Sequence, residues 1–195
     1  MAPLVLASTS PWRKRLLEAA GLHLRTEPSD VDERALEAGL VRGVPPEHRA
    51  TALARGLALE KARVVARRCP GCVVLGADQV GHDPGRPGSF FGKPSDPEDH
   101  RAGLLGRVGR PHILVTGFAL VGPEGAEEEV GHVSSTLWMR SDLTEAEIAA
   151  YVATGEGSEC AGGYAAGKAV AGSLQSLERG TYLSGGQERD RLWSL

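Results

Sequence analysis

The residues best suited to chemistry near the N-terminus follow a short apolar run, residues 4–7. Ser8, Ser10 and Pro11 come next, and a basic cluster over residues 13–15 follows directly. Ser10 is a suitable N-cap, and Pro11 suits the first helical position because the amide that proline lacks would be unpaired there. Positive side chains at the positive end of a helix dipole favour a bound anion, and phosphate is the small anion that fits best.

A second candidate centre is the carboxylate of Asp78, which follows the continuous apolar run 72–77. Such a run is typical of a strand covered on both faces, and a carboxylate there is costly to bury unless it is paired or binds a metal. Lys61 lies in the apolar stripe of a predicted helix, and Lys93 follows a loop rich in glycine and proline. With Arg13, these lysines predict a site for phosphates, in which acids would hold Mg²⁺ or a similar hard cation.

Simpler structural roles stay open for the same residues. Asp78 suits a strand-end cap of the following turn, and Lys61 suits a side chain that runs along the apolar surface to reach water. Trp12 suits a core position in the first turn of a helix. Ser8 and Ser10 lack the G-x-S-x-G elbow of serine hydrolases, which favours capping and phosphate contact over nucleophilic catalysis.

The composition argues against several classes of partner and site. A formal net charge of −3 argues against nucleic-acid binding, and no apolar run approaches the roughly 18 residues of a membrane span. No basic stretch precedes the first apolar run, so we expect no signal peptide and a cytoplasmic protein. Three cysteines make no disulfide framework, and Cys69 and Cys72 close a helix rather than open one, which predicts a turn with incidental thiols.

Predicted strands alternate with predicted helices along the chain. The strands are predicted over 3–8, 72–77, 112–121 and 129–139, and the helices over 11–20, 47–68, from Asp96-Pro97 onward and from Thr144 to Val152. Residues 22–46 and 81–92 are predicted as loops. This alternation predicts an α/β fold with a mixed sheet, formed by one domain over 1–195. Ligands in such sheets bind beyond the carboxyl ends of strands, where we expect Ser8 to Arg15 and Asp78-Gln79.

A set of short motifs in a fixed order resembles one known family. The chain carries Leu6-Ala7-Ser8-x-Ser10-Pro11, Asp32-Glu33, Glu60-Lys61-Ala62, Gly76-Ala77-Asp78, Gly92-Lys93-Pro94, Thr116-Gly117 and Ala161-Gly162. These motifs, spread from residue 4 to about 163, resemble those of the Maf family of nucleotide pyrophosphatases. The resemblance implies a Maf/ITPase-like two-lobed fold, with a central twisted mixed sheet flanked by helices, and often a homodimer.

The resemblance also implies an activity and a set of functional residues. A family member would hydrolyse a nucleoside triphosphate to the monophosphate and pyrophosphate in the cytoplasm, using a divalent cation such as Mg²⁺, Mn²⁺ or Co²⁺. The family's proton acceptor matches Asp78. Its positions for phosphate match Ser8, Arg13, Lys61 and Lys93, and those for metal match Glu33 and Asp78.

Three residues resemble the branch of the family that acts on 7-methyl-GTP: Trp12, Gln79 and Cys160. A methylated guanine carries positive charge, for which tryptophan is the best aromatic partner, and Gln79 suits a hydrogen bond to a base edge. Gly167 departs from this branch because it stands where an acid would accept the donors of guanine. The predicted substrate is therefore 7-methyl-GTP. The alternatives are a dTTP/UTP pyrophosphatase of the same family and a weakly catalytic, nucleotide-binding regulator of septum formation.

Overall fold

The computed structural model describes residues 2–125 and 127–164, and the backbone of 174–183. The strands are β1 (Leu4–Ala7), β2 (Leu24–Glu27), β3 (Val73–His82), β4 (Phe90–Phe91), β5 (Pro111–Val121), β6 (Glu128–Met139) and β7 (Leu174–Leu183). The α-helices are α1 (Pro11–Ala19), α2 (Glu33–Leu40), α3 (Arg49–Arg68), α4 (Pro97–Leu105) and α5 (Glu145–Ala153). Short 3₁₀ turns occur at Pro46–His48 and Pro123–Gly125.

These strands form one sheet in the order β2-β1-β3-β5-β6-β7, and β4 pairs with β3 outside that order. β1 is parallel to both β2 and β3, whereas β4 is antiparallel to β3. The parallel register pairs Ala7, the last residue of β1, with Gly76 of β3. The predicted α/β fold with a central mixed sheet flanked by helices is therefore confirmed.

The chain divides into two compact units, each with its own core. Unit 1 comprises Met1–Asp78, Thr116–Val133 and Thr181–Leu195, and unit 2 comprises Gln79–Val115 and Ser134–Gly180. The core of unit 1 includes Val5, Ala58, Ala62, Val65, Val74 and Val121. The core of unit 2 consists of Leu104, Leu114, Leu137, Met139, Ile148 and Tyr164. That residues 1–195 form a single domain stays a prediction.

Two glycines let helix α3 approach the strands of unit 1 closely. A Cβ atom on Gly76 of β3 would lie 2.0 Å from the carbonyl oxygen of Ala58. A Cβ atom on Gly117 of β5 would lie 2.2 Å from the carbonyl oxygen of Ala54. Both contacts are far too short for any side chain, so glycine at these positions sets the distance between α3 and the sheet. That distance in turn places Lys61, on α3, against β3.

Three sequence predictions of local structure are wrong. Residues 22–46, predicted as a loop, contain β2 and α2, and the loop predicted over 81–92 contains β4. β3 continues to His82, so Asp78 and Gln79 lie inside this strand and not beyond its end. Asp78 is a buried charged residue within β3, so the end of the apolar run does not mark the end of the strand.

Other local predictions are confirmed. Thr144 and Glu147 form the predicted capping box at the start of α5, and Asp96 caps α4. Cys69 and Cys72 lie in the turn between α3 and β3, and both are free thiols. None of the helices in the described ranges combines the length and the apolar character that crossing a bilayer requires.

Candidate active site

The strongest cluster of charges in unit 1 surrounds the ammonium group of Lys61. Its Nζ lies 2.5 Å from Oδ1 of Asp78 and 2.6 Å from Oε1 of Glu33. Lys61 and Asp78 are only 7% and 6% exposed, whereas Glu33 is exposed. The lysine therefore does not extend along the helix surface to reach water. It donates a charge-assisted hydrogen bond to Asp78, the strong kind that a buried ion pair requires, and forms a second ion pair with Glu33.

Three elements of unit 1 bring this cluster together. Lys61 belongs to the buried face of α3, and Asp78 lies on the buried side of β3. Glu33 is the first residue of α2, and the side chain of Asp32 caps this helix by accepting a hydrogen bond from the amide of Ala35 at 3.1 Å. A carboxylate in the first turn is stabilised by the helix dipole, so α2 holds Glu33 at a favourable position.

Burial raises the pKa of the Asp78 carboxyl above its ordinary value of 3.8, because a charge is costly away from water. The positive charge of Lys61 opposes this effect and lowers the same pKa, and Arg13 does so more weakly. The negative charge of Glu33 raises the pKa further. Asp78 is thus a carboxylate that takes up a proton more readily than an exposed aspartate, which is what a general base requires.

The predicted anion-binding loop lies at the end of β1. The hydroxyl of Ser8 accepts hydrogen bonds from the amide of Ser10 at 3.1 Å and from Nη1 of Arg13 at 3.2 Å. Ser10 caps α1 and Pro11 opens it, as the sequence predicts. Since Ala7 pairs with Gly76, this loop begins where β3 continues toward Asp78. The structure therefore brings Ser8, Arg13 and Asp78 to one region of unit 1.

The remaining predicted residues are distributed differently. Lys93 belongs to unit 2, where its Nζ lies 3.2 Å from Oε2 of Glu159, and both side chains are largely exposed. Gln79 is half-buried in β3. Trp12 is 55% exposed on α1, and the guanidinium of Arg15 lies 5.5 Å from the centre of its ring. Gly167 lies outside the described residues.

Two carboxylates that could hold a metal converge on the ammonium group of Lys61. Oδ1 of Asp78 and Oε1 of Glu33 both lie within hydrogen-bond distance of Lys61 Nζ. Among residues 2–125 and 127–164, no group of three or more His, Cys, Asp or Glu side chains converges on one point. A cation here would therefore have two protein carboxylates and would complete its shell with water or substrate oxygens.

Sequence reasoning missed a polar cluster in unit 2. Nε2 of His112 lies 2.6 Å from the hydroxyl of Tyr164, and Nε2 of His100 lies 2.5 Å from the carbonyl oxygen of Gly163. The side chain of Arg107 lies over the ring of Phe91. These residues carry no motif and are spread over more than 70 positions, so only the fold reveals that they are neighbours.

Comparison with known proteins places this geometry in a family. The chain is 39% identical over 193 residues to the dTTP/UTP pyrophosphatase of Thermus thermophilus, covering 99% of this chain and 92% of that protein. It is 40% identical to the nucleoside triphosphate pyrophosphatase of Saccharopolyspora erythraea, covering 82% and 75% of the two chains. It is also 40% identical to the dTTP/UTP pyrophosphatase of Moorella thermoacetica, covering 84% and 78%. Residues 3–184 match the description of a Maf-like protein, so the chain belongs to the Maf-like family.

Proposed function

We propose that this chain is a nucleoside triphosphate pyrophosphatase, which converts a nucleoside triphosphate and water to the monophosphate and pyrophosphate. The observation that carries the proposal is the buried pair of Lys61 and Asp78 beside the anion-binding loop of Ser8 and Arg13. Membership of the Maf-like family supports it, as do relatives whose names state this activity. The cytoplasmic location and a homodimer are expectations from the family resemblance.

The proposed reaction is attack of a water oxygen on the α-phosphorus. A bond forms between that oxygen and phosphorus, the bond from phosphorus to the bridging oxygen breaks, and pyrophosphate leaves with the electron pair. Asp78 accepts the proton of the water, a role that its raised pKa favours. Arg13 and Lys61 bind phosphate oxygens and stabilise the negative charge that develops on them, and the family resemblance assigns a phosphate contact to Lys93 as well. Ser8 positions Arg13 through the hydrogen bond between them.

We include a divalent cation, Mg²⁺, Mn²⁺ or Co²⁺, in the proposal. Glu33 and Asp78 suit it because their oxygens already converge on one positive charge, the ammonium of Lys61. A hard divalent cation prefers a few carboxylate oxygens together with substrate phosphates, and it neutralises and polarises those phosphates when bound. Lys61 would then pair with the phosphate oxygens or with the more buried Asp78.

For the base, we propose 7-methyl-GTP as the preferred substrate. The exposed ring of Trp12 supports this, because it already contacts one delocalised cation, the guanidinium of Arg15. The charged ring of 7-methylguanine is also a planar cation, which tryptophan binds well. Gln79 would bond a base edge. The second candidate is a dTTP/UTP pyrophosphatase, which is favoured by Gly167 and by the names of two of the relatives described above.

The test is a substrate panel that measures pyrophosphate release from 7-methyl-GTP, GTP, dTTP and UTP with each of the three cations. We expect turnover that Asp78→Asn reduces about 100-fold or more, as loss of a general base does. Glu37→Gln, on the exposed part of α2, is the control that should keep full activity. Wild-type rates from Asp78→Asn would contradict the mechanism.

The same panel separates the candidates. A higher kcat/KM for 7-methyl-GTP than for dTTP and UTP supports the first substrate, and the reverse order supports the second. Nucleotide binding without turnover of any substrate would contradict the enzyme and favour the regulator of septum formation. A Trp12→Leu variant adds a direct check: it should lower kcat/KM for 7-methyl-GTP more than for GTP, because only the methylated base carries the positive charge.

A further inference from the structure

Unit 2 contains a polar cavity of about 260 Å³. Its lining includes Phe91, Lys93, His100 and Arg107, together with the backbone of Gly162 and Gly163. Pockets for drug-sized ligands usually exceed about 300 Å³, so this volume favours a small ligand or one group of a larger one. The nature of that ligand follows from the charges on the lining.

Arg107 is the least expected of these side chains. Its Cζ lies 4.0 Å from the centre of the Phe91 ring, and the absence of a side chain at Gly103 leaves room for its guanidinium. A Cβ atom on Gly103 would lie only 3.1 Å from Nη1 of Arg107. Within the described residues, no carboxylate oxygen lies at ion-pairing distance from this guanidinium. Burial lowers the pKa of Arg107, as expected for a cation that is short of compensating charge.

Asp99, which also lines the cavity, and Tyr164 compensate this charge only in part: both raise the pKa of Arg107, but by less than burial lowers it. Oδ2 of Asp99 accepts hydrogen bonds from the amide and the hydroxyl of Ser95, at 2.9 and 3.2 Å. Nε2 of His100 donates to the carbonyl oxygen of Gly163 at 2.5 Å, since a carbonyl only accepts. Lys93 has Glu159 as its partner, but that ion pair is exposed and therefore weak.

We propose that this cavity binds a phosphate or pyrophosphate group through Arg107 together with Lys93. The aromatic ring fixes the guanidinium from one face without accepting its N–H bonds in the way an oxygen does. Those N–H donors match two oxygens of one phosphate, and Lys93 adds a point charge that an incoming anion would draw away from Glu159. The identity of the anion rests on the proposed function, which both consumes and releases phosphate groups.

The test is calorimetric titration of sodium pyrophosphate, without divalent cation, into the full chain and its variants. Arg107→Gln should weaken binding about tenfold or more, because it removes a charge and a bidentate donor. Arg107→Lys should fall between the wild type and Arg107→Gln, since it restores the charge without the fork. Arg101→Gln, which changes the same charge on exposed α4, should stay within about twofold of the wild type.

The result that would overturn the proposal is an Arg107→Gln variant with wild-type affinity, while Arg13→Gln abolishes binding. That outcome would assign the anion to unit 1 and would leave the proposed function intact. Loss of pyrophosphate binding in Arg107→Gln, without any nucleotide turnover by the wild type, would support the anion site in unit 2 and contradict the proposed function. Thermal unfolding of each variant checks that the fold is kept.

Kinetics then separate the two sources of the anion. A higher KM for the nucleotide in Arg107→Gln supports binding of the substrate's own phosphates. A higher inhibition constant for pyrophosphate with an unchanged KM supports a site for the released product. No change in either constant contradicts the proposal.

Discussion

The buried contact between Lys61 and Asp78 determines how a proton can be handled in unit 1. Removing one partner would leave an uncompensated charge, at a cost of about 3–5 kcal/mol. A raised pKa for Asp78 together with a neighbouring cation is the usual arrangement of a carboxylate that alternates between its two protonation states. The charged neighbours of this pair therefore influence the pKa of Asp78.

We predict that kcat/KM falls on the acid side with an apparent pKa above 3.8, since Asp78 must be ionised to accept a proton. Glu33→Gln removes a negative neighbour, so it should move this acid limb to lower pH. Arg13→Gln removes a positive neighbour and should move the limb to higher pH. The two shifts should therefore have opposite signs. The measurement is the pH profile of pyrophosphate release.

The opposite signs of these two shifts distinguish electrostatic tuning from general damage. Both variants will also be slower, because Arg13 and Glu33 belong to the proposed site, but a lower rate alone does not move the limb. Glu37→Gln should keep the wild-type profile. Shifts of the same sign in Glu33→Gln and Arg13→Gln would contradict the assignment of the limb to Asp78.

His112 supplies a second titration, which concerns stability. Burial and the charge of Arg107 lower the pKa of His112 to about 4. Between pH 6.5 and about 4, the unfolded chain takes up a proton that the folded chain refuses. The free energy of unfolding therefore falls as the pH is lowered through this window, by up to about 3 kcal/mol from this group.

We predict that His112→Gln loses less stability than the wild type between pH 7 and 4.5, even if it is less stable at pH 7. Glutamine keeps a polar group for the hydroxyl of Tyr164 but takes up no proton. Urea unfolding at several pH values measures the difference. A slope for His112→Gln equal to that of the wild type would refute the prediction.

The elements divide into those that the sequence specifies by itself and those that depend on tertiary contacts. Helices α1, α4 and α5 could be predicted because Ser10, Asp96 and Thr144 cap them through local hydrogen bonds. The strand β2 could not, because its four residues are stabilised by parallel pairing with β1, which no local pattern records. Helix α2 has no buried residue, but Asp32 caps it through a local hydrogen bond from the amide of Ala35, so the loop predicted there overlooked a local signal.

The extent of β3 shows why the site could be predicted only in part. Asp78 could be identified because a charge after an apolar run is unusual. Its position inside the strand could not be predicted, because the sequence does not show that Lys61, on helix α3, compensates the charge of Asp78. Arg107 could not be found at all, since its neighbour Phe91 and the open space at Gly103 are features of the fold.

At the same scale, the glycines beneath α3 lead to a prediction about packing. Gly76→Ala and Gly117→Ala should each destabilise the chain by about 2 kcal/mol or more, because the added methyl group meets helix backbone that cannot rotate away. Gly76→Ala should also reduce activity, since α3 carries Lys61 against Asp78. Urea unfolding and pyrophosphate release measure the two effects.

Gly39 on α2 provides the matched control. A Cβ atom there would meet nothing within 4 Å, so Gly39→Ala should gain about 0.5–1 kcal/mol from helix propensity. Gly76→Ala and Gly39→Ala thus add the same methyl group with opposite expected signs. Equal stability of the wild type and Gly76→Ala would mean that α3 does not approach β3 as closely as described.

At the scale of the whole molecule, the two units share their secondary structure. Their boundary crosses four strands: between Asp78 and Gln79 in β3, Val115 and Thr116 in β5, Val133 and Ser134 in β6, and Gly180 and Thr181 in β7. Four strands therefore run from one unit into the other without interruption. Because these strands are continuous, a strand that loses its pairing in one unit also pairs less well in the other unit. This continuity favours unfolding of both units in a single cooperative transition.

We predict that a defect placed in unit 1 destabilises unit 2 to the same extent. Gly76→Ala should lower the free energy of exchange equally for the slowest amides of α3, in unit 1, and of residues 112–115, in unit 2. Tyr164→Phe, which removes the partner of His112 in unit 2, should act on both sets in the same way. Hydrogen exchange followed by mass spectrometry in low urea measures both sets in one experiment. Faster exchange confined to the unit that carries the substitution would mean that the continuous strands do not couple the two cores, and that each unit unfolds separately.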